Sequence, residues 1–464
     1  MSATASTRRE VDLRMLAELS MGTPIGQCRA VPVCLGAGAP KAILAVYCAD
    51  FDVDPWVEMF FFPTDTLKLA LFTENGEVVW RKDLGRAVVP GMWFCPVFPF
   101  DLDGDGVEEI WFVNNLSPQH PLGLSHYRLE RLDAATGETT GQWPWPHLGR
   151  PQSLSHTFRN FLLGGQVRGE SVLVTAQGTY GDLFLQGWRP GMEARWNIKI
   201  AADSPGARGS HMCPVVDINH DGLDELMWGE RCLSLDDGRE LFCADRDLYR
   251  GHSDIVQPVL DRESGRWFLY TCREGDPEAA PRVVLFDDAG QRVWGHVEHG
   301  HMDMGWVGRL GEGGRHVGMA IRIDYKTCGP DGRFHFGNQE FTFDLLTGEP
   351  HPLPYSTLGV LPVDLDGDGC HELVGGLDEG DGKVFDRLGK PLGAVGGSLA
   401  LASKFLDRPG EQLLTFYPDG TLRIWADQNA EDSEAALARY AHPFYKTNQR
   451  LGSSGANLNA LTGL

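Results

Sequence analysis

The segment VDLDGDGCHEL at 363–373 recurs as FDLDGDGVEEI at 100–110 and as VDINHDGLDEL at 216–226. A single acidic loop of this kind is a turn. Three copies, each set between two short apolar runs, mark the same joint of a repeated unit, and a repeat constrains a fold more than any one motif does. The runs on either side are too short for helices and rich in Val, Ile, Leu and Phe, so they read as buried strands.

A second element recurs between the loops. LALFTENGEVVW (69–80), LERLDAATGETTGQW (129–143), CLSLDDGRELF (232–242), VVLFDDAGQRVW (283–294), FTFDLLTGEP (341–350) and KVFDRLGKPLG (383–393) each place apolar alternation around a Gly-containing turn, and LFLQGWRPGMEARWNI (183–198) is a longer version. Such segments form antiparallel hairpins with the register set by the turn. An apolar strand, a turn, a second strand and then a hairpin make a four-stranded unit, the blade of a β-propeller. The 57 Gly and 28 Pro, with no long amphipathic helical pattern, suit the same all-β architecture.

Seven hairpins and a partial unit, EQLLTFYPDGTLRIWAD at 411–427, give a preferred count of eight blades, with seven as the alternative. The partial unit lacks its outermost strand, and RAVPVCL at 29–35 is the expected donor that closes the ring. The expected organisation is therefore an N-terminal extension at 1–28, a short helix within its first 25 residues, a single propeller of four-stranded blades at 29–427, and a C-terminal tail at 428–464 packed on it.

In the acidic loops, oxygen ligands fall at the first, third and fifth positions, Gly at the sixth and a carboxylate near the ninth. The sets are Asp101, Asp103, Asp105 and Glu109; Asp217, Asn219, Asp221 and Glu225; and Asp364, Asp366, Asp368 and Glu372. That donor set is a cage for a hard cation, and Ca²⁺ fits it best, giving up to three structural sites. Here the sequence resembles the FG-GAP or integrin-α type of calcium-loop propeller.

Strand direction then separates two faces. Neighbouring strands of an up-and-down blade run oppositely, so loops between first and second strands lie on one face. The start of the first strand and the end of the second lie on the other. His156, His211, His252 and His301 all sit where a first strand is expected to begin, and so converge near the axis opposite the acidic loops. Arg159, Arg231, Arg273, Arg322 and Lys326, with Tyr180 and Tyr325, are expected on the same face. His296, His299 and His301 offer a further expectation, a transition-metal site, although their spacing matches no standard ligand pattern.

The segments SHMCPVVDINHDGLDEL, LSLDDGRELF, GHSD and GHMD resemble the propeller-type rhamnogalacturonan lyases and the related lyases of ulvan-like glycans, most closely over 205–310. The resemblance implies β-elimination next to a uronate: a cation neutralises the carboxylate, a base takes the C5 proton and an acid protonates the leaving oxygen. His252 and His301 are then the expected acid–base pair, His211 and His156 binding or polarising groups, Tyr180 and Tyr325 candidate phenolic acids, Arg231, Arg273 and Arg322 the carboxylate clamp, and Arg159 and Lys326 further substrate-binding groups. Two other readings stand beside it. One is a calcium-stabilised propeller that binds glycan or protein without catalysis; the other is a glycoside hydrolase using Asp254 and Asp303.

The formal net charge of −23, from 41 basic and 64 acidic side chains, excludes duplex nucleic acid as a main partner. An acidic oligosaccharide or polysaccharide remains open to it where cationic groups converge. Ten Cys without a C-x-x-C pair read as buried thiols of a reducing compartment, and no apolar run reads as a leader or membrane span. A cytoplasmic protein is expected, or a secreted one if a leader has been removed.

Overall fold

A computed structural model describes residues 10–147, 153–276, 278–311, 313–328, 334–376, 381–454 and 460–464. Eight antiparallel sheets follow one another along the chain, seven of four strands and one, from His301 to Asp344, of three among the described residues. The preferred blade count of eight holds. In the sixth blade a bridge from Phe343 to Pro350 carries the chain back along the rim where a fourth strand would run.

Burial grades from axis to rim. In the first blade the inner strands Gln27–Val33 and Ala42–Cys48 are buried almost throughout, whereas the outer strand Val78–Asp83 alternates half-buried and exposed positions. The same rule corrects the expected closure. RAVPV belongs to the innermost strand of blade one, and Leu13–Ser20, with its alternating burial, pairs along Thr421–Asp427 as the outermost strand of blade eight. An apolar run packs where both sheet faces are covered, and an alternating one packs at the rim. The helix expected in the first 25 residues is therefore a strand where it is described, and the propeller draws on residues ahead of 29.

The turn glycines of the hairpins have a packing role. Trp80, Trp196 and Trp294, on outer strands of alternate blades, donate their indole N–H to Ala134, Leu235 and Leu345 carbonyls of the next blade. Each ring lies against that blade's turn glycine, Gly137, Gly238 or Gly348, all at positive φ, and a Cβ there would lie 2.7–3.0 Å from the ring. The repeated hairpin is thus also an inter-blade fastener.

The C-terminal segment runs along the axis. Helix Glu434–Ala441 sits over the third acidic loop, with Ser433 N–H on the Gly367 carbonyl. Beyond it, Asn448 bonds both backbone groups of Val215, Ser453 donates to Val97 O and accepts from Arg29 through its carbonyl, and Gln257 donates to Thr462. These partners lie on or next to the innermost strands of blades four, two, one and five.

His147, buried after the outer strand of blade two, shares its Nε2 hydrogen with the Thr175 carbonyl at 2.9 Å. Burial pushes its imidazole down to about 4. The unfolded chain takes up that proton near the ordinary value of about 6.5, so the contribution is complete above that pH and is lost as pH falls towards 4. Urea unfolding of wild type and His147→Gln should show the wild type losing about 3 kcal/mol more than the variant across that window. Equal losses in the two proteins would show that His147 does not carry the acid sensitivity.

Candidate functional site

Three of the four expected histidines meet. His211 precedes the inner strand of blade four, His252 precedes Ser253–Asp261 of blade five, and His301 opens His301–Leu310 of blade six. The His211 and His252 rings are 5.1 Å apart. The acidic loops lie at the other ends of the inner strands, so the two faces separate as strand direction predicts.

The hub of this cluster is Glu274, which sequence reasoning missed. Its carboxylate is bonded to His252 Nε2, stands 2.9 Å from His301 Nε2 and 3.9 Å from His211 Nε2. Asp254 Oδ1 lies 3.1 Å from His211 Nδ1 and 4.0 Å from His252 Nε2, and Asp303 Oδ1 lies 2.9 Å from His301 Nε2. Glu274 follows Arg273 at the end of a second strand, a position class that strand direction had already assigned to this face. In the sequence, Glu274 reads as the ion-pair neighbour of Arg273, which hides it.

Electrostatics distinguish the members. Burial would raise Glu274, yet the bonds from His252 and His301 outweigh it and hold the carboxyl well below the usual range. Burial and the adjacent Glu274 charge drive Asp254 the opposite way, so the pair keeps one proton between two carboxylates. Burial and the Arg159 charge push His211 well down. Burial also opposes charge on His301, but Asp303 and Glu274 prevail and push it up to about 9. His301 is the accessible member, its side chain 44% exposed against 7% for His252.

One donor from each of His211, His252, Asp254 and Glu274 lies within 4.8 Å of the others. Asp254 Oδ1 and His211 Nε2 are buried without a hydrogen-bond partner, which is how ligand atoms present themselves to an ion. Two imidazoles and two carboxylates fit a divalent cation with mixed nitrogen and oxygen preference. Of the residues in the expected transition-metal site, His301 groups with Glu274 and Asp303, while His299 is exposed, His296 stacks on Phe343 at 5.0 Å, and neither joins a ligand group among the described residues.

The remaining expected site residues divide. Arg159 borders the cluster: it pairs with Asp54 at 3.2 Å, lies over Trp93 and Tyr180, and keeps Nη1 unpartnered. Tyr180 meets the His252 ring edge-on at 4.8 Å, and burial pushes its phenol up. Trp93, also unforeseen, packs on His211 at 5.3 Å. Arg322 stands on the strand beside His301, engaged by Asp324 and Gln339. Tyr325 is 61% exposed on the same strand, and the Lys326 side chain lies outside the described residues.

Three expectations are corrected. His156 lies in helix Leu154–Phe158 and bonds the Asp182 carbonyl, with no contact to the other histidines among the described residues. Arg231 is buried and held by Glu240 and the Ala207 and Pro205 carbonyls. Arg273 has no exposed side-chain surface and pairs with Glu230 at 2.6 Å and Asp245 at 2.7 Å. A guanidinium whose donors are spent on buried partners has none for a substrate carboxylate.

On the opposite face, Asp101, Asp103 and Asp105 group closely, as do Asp364, Asp366 and Glu372. Glu109 has one oxygen facing Arg131 at 3.4 Å and the other buried and unpartnered. In the middle loop, Asp217 accepts from Asp221 and Gly222 N–H, Asn219 donates to Asp221, and Glu225 accepts from Ile218 N–H. Arg387 reaches Asp368 at 2.5 Å in the third loop.

No family model matches the chain. Among curated proteins, the rhamnogalacturonan exolyase YesX of Bacillus subtilis (strain 168) is 28% identical over 313 residues, which cover 59% of this chain and 48% of the relative. The rhamnogalacturonan endolyase YesW of the same organism is 23% identical over 255 residues, covering 48% and 40%. The matches thus span about half the length, or less, of these relatives. The crystal structure of exotype rhamnogalacturonan lyase YesX superposes with a TM-score of 0.75 at 18% identity, covering 94% of this chain and 80% of that one. Rhamnogalacturonan lyase PL11 of Bacillus licheniformis gives 0.75 at 17% identity, covering 96% and 81%. The structural likeness is one of fold. No described helix is long and apolar enough to cross a membrane.

Proposed function

We propose that the protein is a polysaccharide lyase that cleaves a rhamnose- and uronate-containing glycan by β-elimination, leaving a 4,5-unsaturated uronate. The observation that carries this reading is the joining of His211, His252, Asp254 and Glu274 into one ligand group, with His301 open beside it. The sequence matches to two rhamnogalacturonan lyases support it.

A divalent cation held by those four residues would supply the positive charge that neutralises the uronate carboxylate and makes its C5 proton removable. His211 is kept neutral and Glu274 ionised, as ligands must be, and a bound cation would displace the proton that Asp254 holds. Arg159 directs its unpartnered Nη1 to the carboxylate. With His211 and His252 engaged as ligands, His301 and Tyr180 carry the proton transfers: the phenol that burial keeps protonated suits donation to the leaving oxygen, and His301, whose proton the Asp303 and Glu274 charges hold, would become a neutral base for the C5 proton once a cation on Glu274 offsets that charge. Trp93 and Asp303 orient the rings they touch.

The three acidic loops are proposed as structural Ca²⁺ sites. Asp364 Oδ1 is buried and unpartnered, as is Glu109 Oε2, and Asp364, Asp366 and Glu372 gather more negative charge than the turn alone requires.

Incubation with the glycan should produce the ultraviolet absorbance of the unsaturated uronate. Dialysis against chelator should abolish it and lower the melting temperature, and separate additions of Ca²⁺, Mn²⁺ and Zn²⁺ identify the ion each effect needs. Cleavage without the absorbance would replace the lyase reading with hydrolysis. Binding without cleavage would leave a glycan-binding scaffold.

A further inference from the structure

The segment between the second and third strands of blade one, 49–66, leaves the histidine face rather than the acidic-loop face. It exposes large apolar side chains: Phe51 is 69%, Phe62 60%, Val57 69% and Trp56 45% exposed. Exposed large apolar side chains gathered in one segment of a strongly charged protein mark an interaction site more often than chance.

The segment is held in place. Asp50 accepts the Thr64 and Asp65 N–H groups, Asp65 accepts Ala49 N–H, Asp52 accepts Met92 N–H and Asp54 accepts Trp56 N–H at 2.6 Å. Half-buried Phe60 packs on Phe94 in the core and on Phe62 at 5.1 Å, so the exposed Phe62 ring stands on one anchored in the core. Rings fixed in advance lose little freedom on binding.

The shelf is continuous with the site. Trp56 lies 6.1 Å from Tyr180, which meets His252, and Asp54 bonds both Trp56 and Arg159. A ligand seated at the histidine cluster therefore has an aromatic surface one ring further out. Charge limits what that surface takes: Lys68 answers Asp65 at 2.6 Å and Arg159 answers Asp54 at 3.2 Å, but among the described residues no ion pair reaches Asp50 or Glu58, and 49–66 itself carries no Lys or Arg. Such a field disfavours a uronate and leaves room for an uncharged ring.

We propose that Trp56 and Phe62 form a subsite for a neutral, CH-rich sugar of the glycan, with a 6-deoxyhexose as the fitting class, adjoining the uronate held at the cluster. This rests on the reading of the protein as an enzyme of a rhamnose- and uronate-containing glycan. An apolar sugar face stacks on an aromatic ring, while the ring's lack of charge selects against the neighbouring uronate and so fixes the register of the chain in the cleft.

The test measures oligosaccharide affinity by titration calorimetry in a His301→Asn background, which prevents turnover, with and without Trp56→Ala or Phe62→Ala. Both positions are exposed, and melting temperatures verify folding. For tetrasaccharides of alternating neutral sugar and uronate, Trp56→Ala should weaken binding about tenfold, or about 1.4 kcal/mol; for the uronic acid monosaccharide, which fills the cluster without reaching the shelf, the change should be under twofold. Equal tetrasaccharide affinity with and without both substitutions overturns the proposal. So does a loss of self-association on sedimentation with sugar affinity unchanged, which would make the shelf a contact between copies of this chain. If the wild type yields no unsaturated uronate yet Trp56→Ala still weakens tetrasaccharide binding, the shelf stands and the lyase reading falls.

Discussion

Glu274→Gln should reduce formation of unsaturated uronate by ~10² to 10³-fold, the range that losing a preorganised charge at a reacting centre produces. The glutamine keeps the shape of the side chain but removes the charge on which His252 and His301 converge. It also places a donor where an acceptor is needed. Metal content measured on the purified protein should fall together with activity, because a neutral amide is a weaker ligand for a hard or borderline cation. The fold should survive: Asp254 beside it already holds the proton of the pair, and an amide can take up that hydrogen bond in place of the carboxylate. A variant that keeps its metal and loses less than fivefold in rate would show that the cluster is not the reaction centre.

Arg439→Ala should have the largest effect on stability, about 3–5 kcal/mol in calcium-free buffer. The Arg439 guanidinium is buried, 3.2 Å from Asp364, 2.9 Å from Glu411 and 3.0 Å from His371 Nε2, and Tyr445 donates to the same Glu411 oxygen at 2.6 Å. Truncation leaves two buried carboxylates without their cation. These contacts also anchor the axial C-terminal segment to blades seven and eight, so limited trypsin digestion should release a C-terminal fragment from the variant before the propeller is cut. Leu451 of that segment packs in the same apolar cluster as Trp93 and Cys213, which links the anchor to the wall behind His211. Ca²⁺ should recover part of the lost stability, because it supplies Asp364 with another cation. Unchanged melting and unchanged digestion would show that the segment is held from elsewhere.

Much of this molecule was legible locally. The turn glycines and alternating apolar positions announced the hairpins because β-pairing across a tight turn is set by neighbouring residues. The acidic loops gave each blade a direction, and direction alone put His211, His252 and His301 on one face. The cation clamp was the weak point. Arg231 and Arg273 lie on the expected side of their strands, but their partners come from elsewhere: half-buried Glu240 from the next strand of the hairpin and buried Glu230 from a turn of the preceding blade. Nothing within either arginine's own segment shows that its charge is already answered. Glu274 escaped for the converse reason: a carboxylate beside an arginine reads as a surface pair until histidines from two other blades are seen to close on it.

By itself the sequence determined the repeat, its antiparallel hairpins and the separation of acidic loops from histidines, since these follow from strand alternation and from turns a few residues long. Tertiary structure alone decided the closing strand at Leu13–Ser20, the axial C-terminal segment and the donor set His211, His252, Asp254 and Glu274. Each of these depends on which distant segments share a surface. Burial and the field of neighbouring charges, which then separate a ligand from a structural ion pair, exist only once the ring has closed.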